Sequence, residues 1–153
     1  KSDGRRIKRH VLIKSSTIRF LNDEDLNQMK KVQLISSYIE TRQAEIDKYN
    51  EIRGIDKTLA LNGRNMTNLG LFRKYIMQYL VTHPGLNKDM HMMCRQLQST
   101  ANGVPLEIYA FSSDKRWANY EYIMSDIFDH VMASVEYFDL EIFELPSKIG
   151  RFD

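Results

Sequence analysis

The dipeptide Asn102-Gly103 lies between two segments whose side chains alternate in polarity, and it constrains the fold more than any other feature. Asn-Gly favours a tight hairpin turn, because both residues adopt positive φ at low cost. The flanking segments have the period of two that is typical of strands. In the first, Met90, Met92 and Cys94 alternate with His91, Met93 and Arg95; in the second, Leu106, Ile108 and Ala110 alternate with Glu107, Tyr109 and Phe111. The sequence therefore predicts a β-hairpin.

Three other segments have the apolar spacing of helices, over about residues 22–54, 67–83 and 113–138. Asn22 is a suitable cap for the first, and Pro84-Gly85 ends the second. We expect one face of each helix to contact the core. These faces carry Leu26, Met29, Ile35, Ile39, Ile46 and Tyr49; then Leu71, Phe72, Tyr75, Ile76, Tyr79 and Leu80; then Trp117, Tyr120, Met124, Ile127, Val131, Val135 and Phe138.

Two short apolar segments complete the set of elements, and both are predicted to be strands: residues 10–14 and residues 140–145, the latter closed by Pro146. The second helix is interpreted as an addition after the first long helix. Without it the order is βαββαβ, so we predict an α+β fold of the ferredoxin-like sandwich type. The expected division is a basic linker and first strand over 1–14, an α+β domain over 8–146 and a tail over 147–153.

Composition narrows the class of protein. The 153 residues suffice for one domain, and 42% hydrophobic with 27% charged residues are ordinary globular values. A formal net charge of +2 argues against a strong nucleic-acid binder. No segment has the length of a membrane span or the order of a signal peptide. The start at Lys1, without Met, is compatible with a piece cut from a longer protein.

Candidate chemistry is sparse. Arg5, Arg6, Lys8 and Arg9 form a basic run suited to a phosphate or lipid headgroup, or to protecting a strand edge. Asp126, Asp129 and His130 occupy neighbouring positions of a helix and have ligand types that suit a metal, but helical carboxylates are usually solvated and no further ligand is evident. His91 and Cys94 would point to opposite faces of a strand. Catalytic motifs are absent, so we expect no enzyme, cofactor or metal.

Several blocks, in this order, resemble the mechanosensitive channels of small conductance (the MscS family), in their miniconductance or YbdG-type branch. The basic run GRRIKR at residues 4–9 is similar to the exit from the family's Sm-like β domain. The other blocks are MTNLGLFRKY (66–75), HP (83–84), MMCRQL (92–97), GVPLEIY (103–109), WANYE (117–121) and SDIFDH (125–130). The resemblance covers nearly the whole chain.

This resemblance implies the cytoplasmic C-terminal domain of a bacterial inner-membrane channel. Such channels open under membrane tension during osmotic downshock and release ions and small solutes. Their subunits typically form homoheptamers, and the C-terminal domains surround a vestibule entered through side portals. The pore-lining helix and the membrane anchor would belong to a missing N-terminal part. The expected role of this chain is then subunit assembly and vestibule shape, with no nucleic-acid partner.

Three alternatives remain open. An RNA-binding module shares the βαββαβ order, but the segment 90–97 has no aromatic residue for stacking bases. A small-molecule-binding regulatory domain of ferredoxin-like fold is compatible with the same pattern of elements. The third alternative is an enzyme with a metal at Asp126, Asp129 and His130.

Overall fold

Four α-helices and three β-strands form within residues 4–145, the part of the chain that the computed structural model describes. The elements are β1 (Arg5–Ile13), α1 (Asp23–Met29), α2 (Ser36–Ile52), α3 (Asn68–Thr82), β2 (Met93–Gln96), β3 (Val104–Ser112) and α4 (Trp117–Ser134). The mixture of helices with an antiparallel sheet confirms the α+β class. The predicted tail over 147–153 and the predicted domain end at Pro146 lie outside the described residues.

The sheet has the order β1-β3-β2 with both pairs antiparallel, which confirms the predicted hairpin between β2 and β3. The turn differs by one residue from the prediction. Thr100 and Gly103 pair through two backbone hydrogen bonds of 2.8 and 3.1 Å, so Ala101 and Asn102 are the central residues. Gly103 follows them with a φ of 127°. β1 begins at Arg5, so the basic run belongs to the strand and not to a linker before it.

The core lies between the helices and one face of the sheet. Alternate residues of β3 from Val104 to Ser112 are buried on this face, as are Ile7, Val11 and Ile13 of β1. α3 packs on β2 and α4 packs on β1. The predicted helical faces are confirmed for α3 and for α4 from Tyr120 onward, but Trp117 is 66% exposed and its assignment to the core is wrong.

The first predicted helix is interrupted, which corrects the expectation of one helix over 22–54. α1 ends at Met29, a 3-10 turn covers Gln33–Ile35, and α2 follows. In one continuous helix Leu26 and Ile35 would point about 180° apart, because each residue turns the chain by about 100°. The break brings both side chains into the core, where each is at most 5% exposed. Asn22 caps α1 as predicted, in a reciprocal capping box with Asp25.

The last predicted strand is also corrected. The segment 140–145 forms a single antiparallel bridge, between Ile142 and Ile13, instead of a strand. Two backbone hydrogen bonds flank the bridge: Phe143 N–H donates to Leu12 O (2.9 Å) and Lys14 N–H donates to Glu141 O (2.8 Å). The segment meets β1 only at the carboxyl end of that strand, which accounts for the short pairing.

Candidate functional site

The sheet face opposite the helices combines basic and aromatic side chains, and we call it the open sheet face. Its rows follow from the strand register, since directly paired residues share a face. Arg6 lies opposite Phe111, and Lys8 lies opposite Tyr109, with Met93 of β2 on the far side of Tyr109. His10, Glu107 and Arg95 form a third row across β1, β3 and β2. The sequence predicted that Glu107, Tyr109 and Phe111 share a face, and the register confirms it.

Charge on the open sheet face is unevenly distributed. Arg95 Nε donates to Glu107 Oε1 at 2.9 Å, and the Glu107 side chain is only 6% exposed. A buried carboxylate needs such a partner, because losing its hydration is costly. Within residues 4–145, by contrast, Arg6 and Lys8 form no salt bridge and are exposed. The cations beside the aromatic rings are therefore unneutralised.

The four basic residues singled out in the sequence do not act on one surface. Alternation along β1 places Arg6 and Lys8 on the open sheet face and Arg5 and Arg9 on the opposite face. The Arg5 guanidinium lies 4.3 Å from the centre of the Tyr120 ring on α4. The same Tyr120 donates its hydroxyl proton to the Arg6 carbonyl at 2.6 Å. Arg5 thus contributes to docking α4 on β1, and Arg9 lies on the other face of the strand from Arg6 and Lys8. Arg6 and Lys8 are therefore the pair that can contact one anion beside the aromatic rings.

A second cluster joins α3 to α4 through two histidines. Tyr75 Oη and His130 Nε2 lie 2.7 Å apart, and the His130 ring stacks on Tyr79 at 4.0 Å with a 3° interplanar angle. Burial raises the pKa of Tyr79 to about 12. His83, just after α3, lies 2.8 Å from Asp126 through its Nε2 atom. These contacts hold the two helices against each other.

The His83–Asp126 pair lacks the geometry of a general base. The Gly85 N–H donates to His83 Nδ1 at 3.0 Å, so that nitrogen is an acceptor and the ring proton lies on Nε2, facing Asp126. Both ring nitrogens are thereby engaged, so neither is free to accept a proton from a substrate in this arrangement. The arrangement fixes the loop after α3 and supplies no catalytic dyad.

The structure does not gather the proposed metal ligands. Asp126 and His130 are each engaged by a different side chain of the α3 region, and Asp129 is exposed on α4. Nowhere in residues 4–145 do three or more His, Cys, Asp or Glu residues form a group that could hold a metal ion. The geometry therefore gives the metal-enzyme alternative no support.

His91 and Cys94 are separated as the strand pattern predicted. Cys94 is buried on the helix side of β2, opposite Ile108. His91 lies before β2 and is exposed, with its ring 5.8 Å from that of Tyr109. Burial raises the pKa of the Cys94 thiol to about 12.

We expect Cys94 to be unreactive in the folded chain. Raising a thiol pKa from 9.0 to about 12 lowers the thiolate fraction near neutral pH by about three orders of magnitude. A thiol reagent at about pH 8 should label Cys94 only after a denaturant is added, with mass spectrometry as the readout. Rapid labelling of the native chain would contradict this placement of the thiol.

A cleft of about 570 Å³ lies between α1, α2 and the loop that precedes α3. Its lining includes Lys57, but the ammonium group of this residue donates to the carbonyls of Ala60 and Asn62 and to the side chain of Asn65. The Arg64 guanidinium lies over the Tyr49 ring, 5.1 Å from its centre. The cations of this cleft thus organise the loop, and the open sheet face is the better candidate for a ligand.

No model of a known protein family matches the chain. Among the helices of residues 4–145, none combines the length and the apolar character required to cross a bilayer.

Proposed function

We propose that this chain is the vestibule-forming cytoplasmic domain of a tension-gated channel of the MscS family, in its miniconductance branch. The ordered sequence blocks support the family. The observation that carries an assembling role is the exposure of three aromatic side chains in and just after α4. Trp117, Tyr122 and Tyr137 are 66%, 72% and 71% exposed. Tryptophan and tyrosine are enriched where subunits contact each other.

The finer fold assignment belongs to the same proposal. We infer a ferredoxin-like arrangement whose fourth strand is reduced to the bridge at Ile142. This bridge lies on β1, whose other pairing partner is β3, so the spatial order becomes residue 142, β1, β3 and β2. The helices packed on the sheet are α3 and α4. The additional helical segment is then α1–α2, before α3, in place of the addition after the first long helix that the sequence suggested.

Assembly tests the proposal on the full-length membrane protein to which we assign this chain. Native mass spectrometry in detergent is expected to give a homoheptamer. Serine at both Trp117 and Tyr122 should weaken assembly by at least about 30-fold, because the loss of a single aromatic hot spot costs about 2 kcal/mol or more. Leu59→Ser is the matched control, because Leu59 is exposed but lies in the loop between α2 and α3. A monomeric full-length protein would exclude the assembling role.

A further inference from the structure

We propose that the open sheet face binds a nucleotide, with the base stacked on one ring of the Tyr109–Phe111 pair and the phosphate at Arg6 and Lys8. The proposal goes beyond the channel role and does not depend on it. It rests on the register of β1 and β3, which brings two cations and two rings into adjacent rows.

The aromatic side chains provide a preformed platform. Tyr109 and Phe111 are two residues apart on the central strand, are half-buried, and pack edge to face with centroids 5.6 Å apart at 84°. The His91 ring supports Tyr109 from the side away from β1, at 5.8 Å. Bases stack on such side chains with little dependence on base identity, because every base has a π face. A fixed platform binds more tightly than a mobile one, since less entropy is lost on binding.

The cations lie where a phosphate attached to such a base would be. Arg6 and Lys8 occupy the positions on β1 directly opposite Phe111 and Tyr109, and direct antiparallel neighbours have Cβ atoms about 5 Å apart. Glu107, the acidic strand residue on this face, is already paired with Arg95. Among the described residues, the surface around the rings is therefore positive. Arginine and lysine are the usual phosphate-binding side chains.

Only a ligand that carries both a base and a phosphate would contact the rings and the cations of this surface together. An inorganic anion would contact the cations and leave the rings exposed, whereas an apolar partner would bury two unpaired cations, which is costly. The absence of aromatic residues from the segment 90–97 disfavoured base stacking at the sequence level. The structure places the aromatic side chains Tyr109 and Phe111 on β3 instead, in the centre of the sheet.

The test is a calorimetric titration of this chain at about 50 mM salt, where phosphate contacts are less screened than at physiological salt. The probes are ATP, inorganic phosphate and a single-stranded uridine oligonucleotide. ATP should bind at least tenfold more tightly than inorganic phosphate. Phe111→Leu keeps an apolar side chain but removes the π face, and should weaken ATP binding about tenfold. Tyr109→Leu serves as a second variant if the first is unstable in thermal melts.

A matched pair of charge variants distinguishes direct contact with the phosphate from attraction by the overall positive charge of the chain. Lys8→Gln should weaken ATP binding about fivefold. Arg9→Gln removes the same charge from the neighbouring residue on the opposite face and should change binding by less than about twofold.

The oligonucleotide distinguishes a free nucleotide from single-stranded RNA as the ligand. If the oligonucleotide binds and ATP does not, the site is assigned to single-stranded RNA. If ATP binds and the oligonucleotide does not, the site is assigned to a free nucleotide.

Failure of both ATP and the oligonucleotide to bind would overturn the proposal. So would binding that Lys8→Gln and Phe111→Leu leave unchanged in folded variants. Neither result would bear on assembly or on tension gating, which are measured on the full-length protein.

Discussion

Alanine in place of Gly103 is expected to lower the free energy of unfolding by about 3 kcal/mol. Gly103 has a φ of 127°, a conformation that L side chains rarely adopt. An added Cβ would also lie 2.6 Å from the carbonyl oxygen of Ile13. Because Ile13 pairs with Val104 at the end of β1, neither atom can move without disturbing the β1–β3 ladder.

Gly54→Ala is the control for the Gly103 substitution. Gly54 also has a positive φ, of 60°, but an added Cβ there would have no atom within 4 Å. Only backbone strain should remain, about 1 kcal/mol. Urea unfolding of both variants measures the difference. Equal losses for the two glycines would show that the contact with Ile13 relaxes without cost.

Alanine in place of Asn68 should cost about 3 kcal/mol, because it leaves several buried backbone groups unsatisfied. Asn68 is 1% exposed at the start of α3. Its Nδ2 donates to the carbonyls of Thr17 and Phe138, at 2.9 and 3.0 Å. Its Oδ1 accepts from the N–H groups of Arg19 and Leu69, both at 2.9 Å. One side chain thus joins the connection after β1, the start of α3 and the turn after α4.

Two further variants separate this network from a general effect of losing an asparagine. Asn68→Asp has nearly the same shape but turns the donor into an oxygen facing two carbonyls, so it should cost at least as much as alanine. Asn119→Ala removes an exposed side chain on α4 whose hydrogen bond within residues 4–145 is to Asp114, and should cost about 0.5 kcal/mol or less. A loss below about 1 kcal/mol for Asn68→Ala would mean that other groups satisfy these carbonyls and amides.

Local periodicity was sufficient to predict α3, most of α4 and the hairpin, because their burial follows from a repeat of 3.6 or of two along the chain. Local periodicity failed where one apolar repeat continues across two separate helices, α1 and α2. Leu26 and Ile35 were assigned to one helix, although their spacing requires a break between α1 and α2. Trp117 extends the apolar stripe of α4 by sequence, yet it lies in the first turn, where the helix is no longer covered.

The sequence predicted the β3 residues of the candidate site but not the β1 residues that lie beside them. Alternation put Tyr109 and Phe111 on one face of β3, but which residues of β1 lie opposite them depends on register, which no local pattern fixes. No local pattern predicts the contact between His83 and Asp126, 43 residues apart, or the contact between Asn68 and Phe138, 70 residues apart. Such polar contacts arise from tertiary packing and have no periodic signal.

The proposed channel function is tested most directly by patch-clamp recording. The full-length protein would be expressed in bacteria that lack their own mechanosensitive channels, and suction would be applied to excised membrane patches. Cells with an empty vector give the background, and Asn68→Ala tests whether the domain described here must be folded. The proposed function predicts tension-activated currents from the full-length protein and reduced currents from the variant. A full-length protein that reaches the membrane but gives no current up to patch rupture would contradict it.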